Sequence, residues 1–88
     1  MTDLEAQFTA RLAALDPEFI DIADDSAAHA GHAGAAGGAG HYRLTIVSPH
    51  FRGLSRIDRH RRVYHALADL FPHRIHALNI HALSPDEI

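Results

Sequence analysis

Between Ala27 and Gly40 the chain consists of alanine, glycine and two histidines, and of nothing else. Apart from the imidazoles of His29 and His32, these side chains have little to pack and nothing with which to hydrogen-bond. Hairpin connections usually have about two to five residues, and a longer loop is often functional or disordered. We therefore expect a mobile loop over 27–40 that presents two imidazoles, with the fold built from the segments on either side.

The segments that flank this loop show the periodicities of one helix and two strands. Apolar residues recur at helical spacing from Leu4 to Leu15, and the pair Asp16-Pro17 should end that helix, because a residue before proline avoids helical angles. A short strand is predicted over Phe19–Asp24. A second strand over His41–Ser48 alternates, with Tyr42, Leu44 and Ile46 on one side.

A second helix is predicted from Arg56 to about Phe71, with Ser55 as its cap. We expect it to bury an apolar stripe, and Val63 and Leu70 should widen that stripe. The stripe consists of Ile57, Tyr64, Leu67, Ala68 and Phe71. A third strand is predicted over Ile75–Leu83, with Leu78 and Ile80 sharing a face.

The predicted order is therefore helix, strand, strand, helix, strand. Because the second helix connects strands two and three, these strands should be parallel, with a right-handed crossover. The sequence thus indicates a small α/β (α+β) domain spanning 1–88, with a three-stranded mixed sheet and both helices on one face. Its 88 residues and 47% hydrophobic content suffice for one modest core.

Composition narrows the chemistry that the chain can perform. There is no cysteine, so disulfides are excluded and any metal ligand that the chain supplies must be nitrogen or oxygen. We find no apolar run long enough for a membrane span and no signal-peptide pattern, and we expect a cytoplasmic protein without membrane contact. No phosphate-binding loop or paired-carboxylate motif stands out, so we predict that it is not an enzyme.

Histidines are the first candidate site residues. The chain has nine, and His29 and His32 lie three apart in the predicted loop, while His76 begins the third strand. Its parity with Leu78 and Ile80 predicts that His76 leans toward the helix-bearing face. Two imidazoles make an incomplete metal site, although two histidines bind one iron of a Rieske 2Fe–2S cluster. A partner protein would have to supply sulfur ligands. The alternative is that these are ordinary surface histidines.

Arginines around the start of the second helix are the second candidate. They could bind the phosphates of a nucleic acid, or they could be a solvated face balanced by the acidic first half of the chain. The overall charge of −3 favours the solvated face. The basic residues considered are Arg52, Arg56, Arg59, His60, Arg61 and Arg62.

Four segments, in order along the chain, carry a resemblance to a known family. They are Asp24–His32, His41–Ser48, Phe51–Tyr64 and Ile75–Leu78. The third contains Phe-x-Gly-x-Ser followed by Arg-His-Arg, and the fourth contains His-Ala-Leu. In this combination the chain resembles the BolA family over nearly its whole length.

The resemblance implies a fold similar to the class II KH domain. It also implies a monothiol glutaredoxin as partner, with a 2Fe–2S cluster shared between the two proteins and glutathione supplied on the glutaredoxin side. His76 would be the ligand of the His-Ala-Leu motif. The second ligand would come from the loop, as His29 by its distance from Asp24-Asp25-Ser26, with His32 as the competitor.

BolA-like proteins are also described as DNA-binding transcriptional regulators linked to stress responses. That role would use the basic start of the second helix, where the chain lacks the Gly-x-x-Gly phosphate clamp of KH domains. A weak homodimer of the apo form is a further expectation. We predict a non-enzymatic adaptor in iron–sulfur handling, with DNA-binding regulation as the alternative.

Overall fold

In the computed structural model, residues 3–24, 40–71 and 73–88 are described. Helix α1 covers Asp3–Leu12, strand β1 Phe19–Asp24, strand β2 Gly40–Val47, helix α2 Arg56–Ala66 and strand β3 Ile75–Leu83. Short 3-10 turns follow α1, β2, α2 and β3. They cover Ala13–Leu15, Pro49–Phe51, Ala68–Leu70 and Pro85–Glu87. The helices of the described residues are too short or too polar for any of them to cross a membrane.

The three strands form one sheet in the order β1-β2-β3. β1 pairs with β2 antiparallel, and β2 pairs with β3 parallel, as expected when a helix connects the last two strands. The mixed sheet predicted from the sequence is confirmed. The bounds of β1 and β3 agree with the prediction, whereas β2 begins and ends one residue earlier than predicted. Helix α2 ends at Ala66 and not near Phe71 as predicted, because a separate 3-10 turn covers Ala68–Leu70.

The core lies between one face of the sheet and the two helices. Even-numbered residues of all three strands contribute to it, because alternate side chains point to the same face. They are Ile20, Ile22, Tyr42, Leu44, Ile46, Leu78, Ile80 and Ala82. The α1 stripe of Leu4, Phe8, Leu12 and Leu15 is buried as its periodicity predicted. Both helices therefore cover the same face of the sheet.

The buried stripe predicted for α2 is wrong in part. Val63, Leu67 and Leu70 form the buried line, while Ile57 is 64% and Tyr64 is 42% exposed. Ala68 is also exposed. The sequence offers two overlapping apolar stripes on this helix, and the buried one is the stripe that continues from Arg59 through Val63 to Leu67. Periodicity alone did not distinguish them, because long side chains such as arginine can share a stripe with apolar residues.

Candidate metal-binding rim and basic helix face

At one end of the sheet, the residues that flank the 25–39 segment lie next to the start of β3. Asp24, the last residue of β1, pairs with Tyr42, and Gly40, the first residue of β2, pairs with Ile75. The Gly40 amide donates a hydrogen bond to the Arg74 carbonyl, 3.2 Å away. We call this end of the sheet the rim. The segment that carries His29 and His32 thus leaves and re-enters the sheet beside His76.

Packing of the Tyr42 ring fixes the position of Gly40, the residue at which the chain re-enters the sheet. The Tyr42 ring lies directly over Gly40, so a Cβ at position 40 would collide with that ring. The ring is itself held by an edge contact with Phe8, with centroids 5.8 Å apart. Burial raises the pKa of the Tyr42 hydroxyl, with Asp24 adding to the shift. Glycine is therefore the residue that allows this close approach at the rim.

A β-bulge at the start of β3 sets the direction of His76. Gly40 pairs with Ile75, but His41 pairs with Ala77, so β3 has one extra residue at this point. Ile75 is buried in the core, and the helix-facing alternation resumes at Leu78. His76 is exposed and lies beside His41, whose parity places it on the face opposite the helices. The prediction that His76 leans toward the helix-bearing face is therefore wrong, because regular alternation was assumed through the bulge.

The two imidazoles at the rim lie close enough to share a metal ion. The ring centroids of His41 and His76 are 5.0 Å apart, with an angle of 52° between the planes. Two imidazoles on one tetrahedral ion, with metal–nitrogen bonds of about 2.0–2.1 Å, have centroids roughly 5 Å apart. The Nε2 atom of His41 is shielded from solvent, whereas His76 is exposed. The ring spacing is thus that of two imidazoles on one ion, and two imidazoles are an incomplete set of ligands.

His41 is a candidate that sequence reasoning missed. It lies one residue before Tyr42 in the predicted strand, on the other side of it, and nothing in that alternation marks it as a ligand. His29 and His32, the predicted loop ligands, lie outside the described residues. Within residues 3–24, 40–71 and 73–88, no cluster of three or more histidine, aspartate or glutamate side chains could hold a metal. The described rim therefore provides two candidate ligands, and a complete site would need others.

Arg59, one of the predicted phosphate-binding residues, is used in hydrogen bonds within the protein. Its guanidinium donates hydrogen bonds to the carbonyls of Leu54 and Ala82, at 3.0 and 3.1 Å. It also forms a bidentate ion pair with the Glu87 carboxylate, with nitrogen–oxygen distances of 2.5 and 3.2 Å. Its side chain is only 12% exposed. Glu87 also accepts hydrogen bonds from the amide and hydroxyl of Ser84. We call this network the Arg59–Glu87 clamp.

Hydrogen bonds from Arg59, followed by those from Ser84, lower the pKa of the Glu87 carboxyl to about 2. A second arginine, Arg52, holds the same C-terminal turn more loosely, through a 3.4 Å contact with Asp86. Hydrogen bonds from Ser84 are the main reason why the pKa of Asp86 is lowered. Two of the six predicted basic residues thus bind the protein's own C-terminal turn.

The other four basic residues of the predicted set are partly or fully exposed to solvent. Arg56, Arg61 and Arg62 are exposed, and His60 is half-buried. Ser55 caps the helix that carries them, since its Oγ accepts from the Asp58 amide at 3.1 Å. Arg61 approaches Asp58 at 3.6 Å. Among the described residues, no ion pair involves Arg56 or Arg62, so their charges remain available to an anionic partner.

Comparison with known proteins identifies the family. The family model described as BolA-like protein matches residues 12–87. This chain belongs to the BolA family. The mouse BolA-like protein 1 is 40% identical over 93% of this chain, and the Haemophilus influenzae DNA-binding transcriptional regulator BolA is 34% identical over 81% of this chain. The chain spans 58% of the length of the mouse relative and 66% of the bacterial one.

Solved BolA structures share the fold. The BolA domain of SufE1 from Arabidopsis thaliana superposes with a TM-score of 0.85 at 36% identity, covering all of this chain and 99% of that domain. The α+β architecture predicted from the sequence is thus that of BolA domains. The relatives reported above are named as BolA-like proteins or as a regulator, and not as enzymes.

Proposed function

We propose that this BolA-family protein is a non-enzymatic adaptor that shares a 2Fe–2S cluster with a monothiol glutaredoxin. His76 would be one ligand and a second imidazole at the rim the other, from His41, His29 or His32. The partner would supply the sulfur ligands, with glutathione bound on its side. The 5.0 Å separation of the His41 and His76 rings, with His76 exposed, is the observation that carries the proposal.

Three further features support this proposal. The chain has no cysteine, so it depends on another molecule for thiolate. Two histidines on one iron are an established arrangement in Rieske clusters. The presence of a BolA domain in a SufE-like protein of Arabidopsis points in the direction of iron–sulfur biology. An adaptor role needs only that the imidazoles be neutral and reachable, and His76 is exposed.

Cluster reconstitution tests the proposal directly. The protein is mixed with a monothiol glutaredoxin, iron, sulfide and glutathione, and visible absorption and circular dichroism are recorded. We expect a spectrum that differs from that of the glutaredoxin alone and that is lost in His76→Ala. Separate His41→Ala, His29→Ala and His32→Ala variants then identify the second ligand, since only one of them should change the spectrum as strongly.

His81→Ala is the matched control, because His81 is an exposed imidazole on the same strand. It should behave as the wild type. If His76→Ala and His81→Ala give the same spectrum and the same cluster lifetime as the wild type, His76 is not a ligand. If the protein leaves the glutaredoxin spectrum unchanged, the shared-cluster proposal itself is wrong.

DNA-binding regulation is the second candidate function. The bacterial relative is named as a DNA-binding transcriptional regulator, and α2 presents the exposed Arg56, Arg61 and Arg62 on its first two turns. Arg59 is excluded from this surface by its clamp with Glu87, and Arg52 is partly engaged by Asp86. Three phosphate contacts would give a slope of about −3 for log K against log salt concentration.

Fluorescence anisotropy with a labelled duplex, at several salt concentrations, tests this candidate. Arg62→Gln should weaken binding and reduce the salt slope by about one. Arg74→Gln is a control for charge alone, because Arg74 is exposed and lies just before β3, away from the first two turns of α2. A flat salt dependence, or equal losses in both variants, would remove the DNA-binding proposal.

A further inference from the structure

Helices α1 and α2, with the turns beside them, line a surface cleft. Its volume is about 730 Å³, within the range of roughly 300–1,000 Å³ that is typical of small-molecule sites. Arg11 and Leu15 line one side, and Asp58, Arg62 and Ala66 line the other. Residues three or four apart share one face of a helix, so a continuous line of α2 side chains faces the cleft. The cleft is thus a candidate binding site.

This cleft is separate from the rim that carries His76. The hydroxyl of Ser48 donates a hydrogen bond to the carbonyl of Leu15, which lines the cleft. Ser48 follows the last residue of β2, whereas the rim lies where β2 begins. β2 has eight residues at about 3.3 Å each, so Ser48 and the rim are roughly 25 Å apart. Binding in the cleft therefore does not depend on the function proposed for the rim.

Apolar side chains form the base of the cleft. Leu15 belongs to the hydrophobic core, and Leu54 and Ala66 pack against that core. Leu54 and Ala66 are half-buried, so part of their surface still contacts water. An apolar group bound in the cleft would remove this surface from water, which is favourable. The base therefore favours a ligand with an apolar body.

Charged side chains line the sides of the cleft, and most of them are already paired. The Arg11 guanidinium binds the Asp69 carboxylate at 2.6 Å, and Arg61 approaches Asp58 at 3.6 Å. Arg62 is exposed, and no ion pair within the described residues involves it. These five side chains thus leave one positive charge, that of Arg62, without a carboxylate partner.

One unpaired guanidinium limits the charge of the ligand. Arg62 can form a charge-assisted, bidentate pair with one carboxylate. A phosphate monoester carries a charge of about −1.5 to −2 at pH 7, so part of its charge would stay uncompensated beside Asp58. The exposed imidazole of His65 also lines the cleft and can provide one further hydrogen bond. The lining therefore favours a singly charged anion over a phosphate or a nucleic acid.

We infer that the cleft binds a small carboxylate with an apolar body. The carboxylate pairs with Arg62, and the apolar body lies on Leu54 and Ala66. A concave site with an apolar base and a few polar groups at its sides is the usual form of a small-molecule site. This site is distinct from metal ligation at the rim and from phosphate binding at the start of α2.

Amide NMR of the isotope-labelled protein tests the inference, with octanoate and 2-naphthoate as probes. We expect both carboxylates to shift the amides of Leu15, Leu54 and Ala66 and to leave those of His41 and His76 unchanged. Three further compounds separate the two parts of the ligand. Acetate has no apolar body, octan-1-ol has no charge, and inorganic phosphate has the wrong charge, so each should bind about ten-fold more weakly or less.

Variants of one helix identify the charge that binds the carboxylate. Arg62→Gln should weaken octanoate binding about ten-fold, whereas Arg62→Lys keeps a positive charge and should retain more of it. Arg56→Gln is the matched control, because Arg56 is an exposed arginine of the same helix that does not line the cleft. It should bind octanoate as the wild type does. Far-ultraviolet circular dichroism confirms that each variant is folded.

Four results would overturn the assignment. Equal losses in Arg62→Gln and Arg56→Gln would mean that overall charge, and not a site, attracts the anion. Phosphate or acetate binding as tightly as octanoate would mean that the apolar base is not used. Shifts confined to residues outside the cleft would place the ligand elsewhere. If neither carboxylate shifts the amides of the cleft, or if a change in protein concentration alone reproduces the shifts, the cleft does not bind this class of ligand.

Discussion

The two ends of strand β3 are built in different ways. At its first end, Ile75 is fully buried and His76 lies exposed beside His41, next to a bulge. At its last end, Ala82 and the turn that follows are bound by the Arg59–Glu87 clamp. The first end is anchored by apolar packing and leaves its polar side chain accessible. The last end uses its charged side chains within the protein.

This difference shows that a charged or titratable residue cannot be assigned a role from its neighbours in the sequence. Arg59 and His76 both belong to short motifs that resemble those of one family. The structure assigns Arg59 to the stability of the C-terminal turn and leaves His76 accessible. A site proposal is therefore strongest where the fold leaves a reactive group accessible without using it.

The largest expected effect on the free energy of unfolding is that of replacing Ile75, which anchors the first end of β3. Ile75→Ala removes a side chain with no exposed surface, and we expect a loss of about 2–5 kcal/mol in the free energy of unfolding. Urea denaturation followed by circular dichroism measures it. A loss well below 1 kcal/mol would mean that packing of Ile75 does not anchor this end of the strand, and that the two ends of β3 do not differ in this way.

Arg59→Ala should have the next largest effect. It leaves the carbonyls of Leu54 and Ala82 without their guanidinium donor, and we expect a loss of about 1–3 kcal/mol. The control is Arg56→Ala on the same helix, which should change the free energy of unfolding by less than about 0.5 kcal/mol because Arg56 is exposed. Equal losses in the two variants would show that the clamp adds no stability.

The order of elements, the strand bounds and the mixed sheet could be predicted from the sequence, since periodicity and proline placement are local signals. The buried face of α2 could not be predicted, because Ile57 and Val63 belong to two overlapping apolar stripes and only tertiary packing selects the buried one. The orientation of His76 was missed because a bulge leaves no local signature in Ile75-His76-Ala77. The partner of Arg59 was missed because Glu87 lies 28 residues away.

Acid should weaken the clamp. The pKa of Glu87 in the folded protein is lowered from 4.5 to about 2, so its ionised form stabilises the fold above about pH 4.5. That contribution is lost as the pH falls from about 4.5 toward 2. Because the Glu87 side chain is 38% exposed, solvent screens the ion pair and the effect should be smaller than that of Arg59→Ala.

The variant Glu87→Gln isolates this contribution. It should be less stable than the wild type at pH 7 and nearly equal to it near pH 2, when free energies of unfolding from urea titrations are compared. Some acid sensitivity should remain in the variant, since Arg11 also lowers the pKa of Asp69 and Ser84 that of Asp86. A difference between variant and wild type that is the same at both pH values would contradict the assignment of the shift to Glu87.

The smallest effect on stability is expected at the residue that matters most for the proposed function. His76 is exposed, and His76→Ala should change the free energy of unfolding by less than about 0.5 kcal/mol while abolishing the shared-cluster spectrum. Because an iron-bound imidazole must be neutral, the wild-type complex should also lose its cluster as the pH falls through the range in which histidine is protonated. Absorption recorded during acidification, with urea titration of the apo protein at the same pH values, separates ligand protonation from unfolding. If His76→Ala unfolds as readily as Ile75→Ala, the residue supports the structure of the rim, and the contrast between the two ends of β3 no longer holds.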